Sequence, residues 1–366
     1  MERKKCVICE NTSFNNSFEL YNTLNIVSES IFDANEIKHL YFIGCKNCGC
    51  IQLKKLFDPN EIYAEPLQIF NGLAIQKHHT LFSDFIIKNV DYSHSLFEIG
   101  GSYGILAKKI IEKYEGRDLV YKIMEFSSEK YPPINGIEYI SGNCEEYDYT
   151  GITTLIMSHV FEHLYNPREF LQKIAKTNIQ NIFISIPDMD GLMNTGDVNN
   201  LNILHTFYIN TKYIVYLFQL FGFELKDKFN YTNNSVFYYF SKNTPLVLEY
   251  QNVDLLTSIP IFYQKMSGII QNIQISEPFY ICPSGFYGQF IYFNLNDETK
   301  KNILGFLDGD KYKINKRLSG TPLTIYEKKH ISNVGIVTIL ISSSKHSNEI
   351  REELMGYNNQ LKFIDI

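Results

Sequence analysis

The stretch SLFEIGGSYGILAKKIIEKY, residues 95–114, decides how this chain is read. An apolar run (Leu96, Phe97, Ile99) leads straight into glycines at 100, 101 and 104. Ile105, Leu106, Ile110, Ile111 and Tyr114 follow at the spacing of one helix face. The pattern predicts strand, sharp bend and helix. Glycine at such a bend lets the chain turn tightly and lets backbone N–H groups approach a ligand with no Cβ in the way.

The flanking sequence extends the same alternation. YKIMEF (121–126), YISGNCEEYD (139–148), TTLIMSHVFEHLYNPREFLQKIAK (153–176) and NIFISIPD (181–188) set apolar runs between amphipathic ones, the form of a βαβ array around a parallel sheet. Two acids stand at the strand ends, Glu98 just before the bend and Glu125 after the next run. A carboxylate in the second position can accept from both hydroxyls of a ribose diol. That suits a nicotinamide cofactor and S-adenosylmethionine (SAM) equally. Nicotinamide folds usually carry G-x-G-x-x-G, whereas the order here is E-x-G-x-x-x-G.

The whole chain has 366 residues, too many for one hydrophobic core, which usually stops growing near ~250 residues. With 45% hydrophobic and 20% charged residues it has ample core material. Its formal net charge of −6 offers nothing to recruit nucleic acid or an anionic membrane. The longest apolar candidate, Tyr213 to Phe223, is far short of the ~18 residues a membrane span needs. MERKKCVICE has no apolar signal region, and the expectation is a cytoplasmic protein.

Seven cysteines in a chain without an export signal argue for thiols used as ligands or core residues, not for a disulfide framework. Cys6 and Cys9 form CVIC; Cys45 and Cys48 form CKNC, with Gly49 and Cys50 behind them. Each C-x-x-C can present both sulfurs to one ion, and two of them complete a closed tetrahedral zinc shell. Cys50 is an alternative ligand, but the C-x-x-C-G form favours Cys45 and Cys48. Such a site has no open coordination position, so it folds the segment and performs no chemistry. Cys144 and Cys282 stand alone and read as small core residues.

Taken in order, E-I-G-x-x-x-G, the later acid, S-H-V-F-E-H-L with a proline-started helix, and the F-G-F at 221–223 resemble a class I SAM-dependent methyltransferase from about residue 80 to 240. The resemblance implies that Glu98, Gly100 and Gly104 flank the methionine part of SAM and that Glu125 holds its ribose. It also implies that Asn143 and Cys144 lie by the adenine, and that Ser158 and His159 face the methyl donor. The paired cysteine knuckles followed by FDPNEIYA, and the C-terminal FYICPSGFYGQFIYFNL and ILGFLDGDKYKINKRLSGTPLTI, resemble sugar C-methyltransferases that act on nucleotide-linked deoxysugars. That family implies a zinc-binding module over 1–57, a Rossmann-like methyltransferase domain over 58–243, and a C-terminal Rossmann-like α/β domain over 244–366. Ser284, Gly285 and Gly288 would approach the nucleotide-sugar diphosphate, unless the last domain is only a scaffold; Lys311, Lys313, Lys316 and Arg317 read as solvated. Tyr63 falls near the family's tyrosine-rich substrate contacts.

Methyl transfer to carbon first needs an enolate, hence a positioned base. The family carries a Tyr-x-Glu-His cluster for this, with a second His after the fourth strand. In NILHTFY, His205 takes the His position, but Leu204 replaces the Glu and Asn202 the Tyr; His163 fits the second site. The expected activity is therefore methylation of a nucleotide-linked sugar, at carbon first and at oxygen or nitrogen next. Two other readings stay open: a binding or scaffold protein that has lost its base, and a nicotinamide-dependent sugar oxidoreductase.

Overall fold

The computed structural model describes the chain apart from residues 64–72, 91–94, 115–118, 232–234, 244–254 and 343–346, and apart from the side chains of 73, 74 and 255–257. The described residues form two compact units: 1–16, 43–190 and 204–256 make the first, and 17–42, 191–203 and 257–366 the second. The units interleave along the chain, whereas the division expected from the sequence runs in chain order. Its boundary at 243/244 borders residues outside the described ones.

The first unit is built on a seven-stranded sheet. Its strands are β1 (Leu96–Ile99), β2 (Tyr121–Glu125), β3 (Ile137–Ser141), β4 (Thr154–Ser158), β5 (Asn181–Pro187), β6 (Phe223–Tyr231) and β7 (Ser235–Lys242). They lie in the order β6-β7-β5-β4-β1-β2-β3. All pairs from β5 to β3 are parallel, while β7 runs antiparallel to both β5 and β6. Val, Phe and Tyr dominate β7, and Phe223 after Gly222 starts the last hairpin. This is the Rossmann-like α/β arrangement of the class I methyltransferase fold.

The sheet's order fixes where a ligand can go. β1 pairs with β2 on one side and β4 on the other, so the chain leaves β1 one way and returns on its far side. The carboxyl ends of β1 and β4 therefore mark the switch point of the sheet, the place where doubly wound sheets bind ligands. The helices Leu73–Asn89 and Ile105–Lys113 cover one face through Phe82, Ile86, Leu106 and Ile110, packed on Tyr121, Ile123, Ile156 and Phe237. At roughly 2 kcal/mol for each large apolar side chain removed from water, this layer holds the loops on a rigid base.

The second unit has a five-stranded parallel sheet: β8 (Phe279–Cys282), β9 (Ile303–Asp308), β10 (Ile325–Glu327), β11 (Val337–Ile341) and β12 (Leu361–Asp365), in the order β10-β9-β8-β11-β12. Helix Phe286–Asn294 follows β8, so FYICPSGFYGQFIYFNL forms a strand, a turn and a helix.

Candidate functional site

The glycine bend closes β1 in strained backbone that its residue types permit. Gly100 and Gly104 have φ of +72° and +64°, where a side chain would be costly. A Cβ on Gly100 would lie 2.5 Å from Val160 Cγ2, so the bend and the loop after β4 meet in direct contact. The Ser102 amide donates to Glu125 Oε1 at 2.5 Å, joining the bend to the end of β2. Burial pushes the Glu125 carboxyl up to about 7.

Glu98 has a different surrounding. It is 1% exposed, accepts from Tyr121 Oη at 2.8 Å, and lies under Gly101, whose Cβ would meet its carboxyl carbon at 2.8 Å. Burial pushes it up to about 8 against the pull of the tyrosine. It therefore supports the bend from beneath. Asn143 turns the chain after β3, its Oδ1 accepting from the Glu145 amide at 3.0 Å. Cys144 is buried there, and its carbonyl accepts from Tyr149 Oη at 2.8 Å. Tyr63 stacks on Phe126, the residue after Glu125, with ring centroids 4.8 Å apart.

The loop after β4 assembles a polar cluster. Ser158 ends the strand opposite Ser185, and His159 follows in left-handed backbone, φ +54°. His159 Nδ1 donates to Glu162 Oε1 at 3.2 Å, and its Nε2 meets Ser235 Oγ at 3.1 Å. Glu162, His163 and His205 each offer a ligand atom, all three within 4.8 Å of one another. The His163 and His205 ring centroids are 5.2 Å apart. Burial would raise the Glu162 carboxyl, but the His159 hydrogen bond and the three imidazoles hold it below the usual carboxylate range. Burial lowers His163 despite that carboxylate, leaving a neutral imidazole beside an anion. A small cavity adjoins the cluster, lined by Glu162, His205, Pro187, Met189, Phe207 and Tyr208 among others.

Sequence reading missed Glu162. The stretch SHVFEHL showed an acid beside His163 and three residues after His159, but its facing His205 needed tertiary structure. His78 was missed too: it is buried beside His159, its Nε2 is 2.9 Å from Ser185 Oγ, and burial with its neighbours His159 and His79 pushes it down to about 2.

The four-cysteine group is as compact as its spacing predicts. Cys6 Sγ lies 3.4 Å from Cys48 Sγ, and Cys9 Sγ 3.5 Å from Cys45 Sγ, with all four sulfurs within 4.8 Å. Tetrahedral zinc with bonds of ~2.3 Å sets sulfurs about 3.8 Å apart, so the donors fit a structural Zn2+. The two knuckles match: the residue after each second cysteine, Glu10 or Gly49, has positive φ and returns its N–H to the first cysteine's carbonyl at 2.9 Å. Cys50 stands outside the quartet, its sulfur 3.6 Å from the Ile51 carbonyl.

This module also holds the histidine loops. Strand Ile51–Leu53 pairs with Phe207–Tyr208, and the Leu53 amide donates to the Thr206 carbonyl at 2.8 Å. The Arg3 guanidinium donates to the carbonyls of Tyr165 (2.9 Å), Leu164 (3.2 Å) and Thr206. Burial lowers Arg3 to about 10, although nearby anions oppose this. His163 and His205 thus each sit next to a residue fixed by the N-terminal segment.

In the second unit, the bend after β8 is closed. The Ser284 amide and hydroxyl both donate to Asp308 Oδ2, at 3.1 and 2.6 Å, and Lys313 Nζ bonds the same oxygen at 2.9 Å. A Cβ on Gly288 would meet Phe306 at 3.2 Å, so this glycine serves helix packing; nothing within 4 Å faces Gly285. The expectation of solvated cations fails for Lys313 and Arg317, which are 7% and 9% exposed. Arg317 pairs with Glu36 at 2.5 Å, and Lys316 with Glu29 at 3.2 Å. Lys311 is exposed.

No family model matches the chain, and no curated protein matches it. Among solved structures, the complex of the Haloferax volcanii Trm112 methyltransferase activator with a methyltransferase aligns with 46% of this chain and 92% of the other, at 7% identity and a TM-score of 0.40. Magnesium protoporphyrin IX methyltransferase from Synechocystis PCC 6803, with bound SAH, aligns with 47% of this chain and 84% of the other, at 10% identity and 0.37. Mitomycin 7-O-methyltransferase aligns with 46% of this chain and 55% of the other, at 13% identity and 0.35. These similarities are too distant to carry any residue's role across. Among the described residues, no helix is long and apolar enough to cross a membrane.

Proposed function

We propose that the protein is a SAM-dependent methyltransferase acting on a nucleotide-linked sugar or a related polar small molecule. The observation that carries the reading is the contact between the two loops at the switch point. The glycine bend with Glu125 and the loop bearing His159, Glu162 and His163 meet at Gly100 and Val160. Donor and acceptor sides would then lie together at the carboxyl end of the sheet, the alignment an in-line displacement requires.

SAM supplies an electrophilic methyl group. Gly100 and Gly104 would flank its methionine part, Glu125 would accept from its ribose hydroxyls, and Asn143 and Cys144 would lie by its adenine. Glu98 would hold the bend from below, and Ser158 with His159 would border the donor. On the acceptor side, His205 or His163 would take the proton, and the ionised Glu162 would stabilise the resulting imidazolium. That carboxylate answers the loss of the family's Glu at Leu204: the base constellation regains an anion from a different strand end. C-methylation thereby stays the first expectation, with O- or N-methylation of a similar sugar second. The scaffold reading loses its motive, since it rested on the missing base. Cys6, Cys9, Cys45 and Cys48 would hold a structural Zn2+, with the chain's parts dividing as zinc module, methyltransferase domain and C-terminal domain.

The test is incubation with SAM carrying a labelled methyl group and a panel of nucleotide-linked keto- and deoxysugars. Label in a sugar carbon, with one SAH per methyl, supports C-methylation; label only on oxygen or nitrogen moves the reading to the second expectation. No SAM binding at all would overturn the methyltransferase reading.

A further inference from the structure

We propose that Glu162, His163 and His205 form a second metal site, for a divalent transition ion, separate from the four-cysteine quartet. The site goes beyond the methyltransferase reading and stands without it. Three side chains from two loops converge, each offering one ligand atom, with all three atoms within 4.8 Å of one another. Two imidazoles and a carboxylate are a donor set for Zn2+, Fe2+, Co2+ or Ni2+, and a poor one for Ca2+ or Mg2+, which take oxygen ligands.

A second observation points to a cation. Glu162 is 2% exposed, yet its Oε2 is buried with no hydrogen-bond partner among the described residues. A carboxylate oxygen left so is costly, and a metal ion supplies what it lacks. The other oxygen, Oε1, is held by His159, itself tied to Ser235. Ligating carboxylates are characteristically oriented by such an outer hydrogen bond. The backbone is fixed as well, because the Thr206 amide donates to the Glu162 carbonyl at 3.0 Å and so ties the His205 loop to the Glu162 turn.

Three protein ligands leave coordination positions open, and a cavity lined by Glu162 and His205 adjoins the site. The ion's ligand would be an acceptor oxygen, a hydroxyl or a carbonyl, whose acidity or polarisation the ion raises. With metal bound the two imidazoles are ligands, and the ion replaces them as the group that activates the acceptor.

The experiment is a titration of the full-length protein, its cysteine quartet already filled with zinc, with Co2+ followed by visible absorption. The expected result is one Co2+ per chain with d–d bands and no sulfur charge-transfer band. Glu162→Gln and His205→Ala should weaken uptake by at least about ten-fold while zinc content stays at one per chain. If Glu162→Gln does not fold, His163→Gln, at a partly buried ring, carries the same expectation. No cobalt uptake, uptake only with a sulfur band, or unchanged uptake in the variants overturns the site and leaves the imidazoles as bases. Cobalt uptake with no SAM binding would instead sink the methyltransferase reading and keep the metal.

Discussion

The cysteine quartet and the Glu162–His163–His205 cluster are two polar centres in one compact unit, and they differ in how they are encoded. Each half of the quartet is local: C-x-x-C, a tight turn, a left-handed residue and a returning N–H, repeated at 6–10 and 45–49. The other cluster takes two neighbours from the end of β4 and one residue from a loop 42 positions later. The quartet's donors face one another, while the cluster borders a cavity. A closed centre of sulfurs serves folding, and a centre with a cavity on one side can serve chemistry.

The largest effect should come from the closed centre. A zinc ion held there would contribute metal-binding energy on the order of 10 kcal/mol, comparable to the stability of a whole domain, and a chelator would remove it. The expected outcome is a fall in Tm of about 10 °C or more, with loss of activity, because Ile51–Leu53 and Arg3 hold the histidine loops. A chelated protein that keeps both Tm and activity would make the quartet incidental.

The next effect separates the centres. Glu162→Gln or His205→Ala should lower methyl transfer about 100-fold or more in the folded protein, with SAM affinity little changed. Measured by turnover and calorimetry on the same preparation, equal losses in SAM binding would instead place these residues on the donor side.

How far these centres could be read from sequence follows from the same difference. Strand, bend and helix at 95–114 were legible because glycine spacing and apolar periodicity are local signals. The cysteines were legible because their ligand spacing is also local. The carboxylate of the histidine cluster was not, since the family pattern directed attention to Leu204, and only the fold brings Glu162 to His205. Lys313 and Arg317 read as solvated because their partners, Asp308 and Glu36, are set by tertiary packing; for Arg317 the partner is 281 residues away. The two interleaved units were likewise hidden, since periodicity gives elements but not which distant segments pack together.

Smaller effects sharpen the donor side. Glu125→Ala should weaken SAM binding about 10- to 100-fold, the worth of one or two hydrogen bonds to a charged group. Because burial puts the Glu125 carboxyl at about 7, with Glu98, Tyr131 and Tyr139 as its titratable neighbours, affinity should fall as pH drops below 7, by up to about ten-fold per unit. An affinity flat from pH 8 to 5.5 would remove Glu125 from the ribose.

Glu98 should act on stability. Its folded-state value of about 8 exceeds the ordinary 4.5, so the stability held below pH 4.5 is lost as pH rises toward 8. Glu98→Gln should flatten that decline by on the order of 1 kcal/mol per pH unit in denaturant titrations. The smallest effect tests the matched knuckles: Glu10→Gly replaces a strained left-handed residue and removes only an exposed pair with Arg168. A gain of about 0.5 kcal/mol is expected.

Calorimetry of SAH binding, wild type against Glu125→Ala at pH 8, tests the central claim most directly. The account predicts one SAH per chain, markedly weakened by the substitution, and no competition from a nicotinamide dinucleotide. A chain that ignores SAH, or that exchanges it for NADH, would contradict the account.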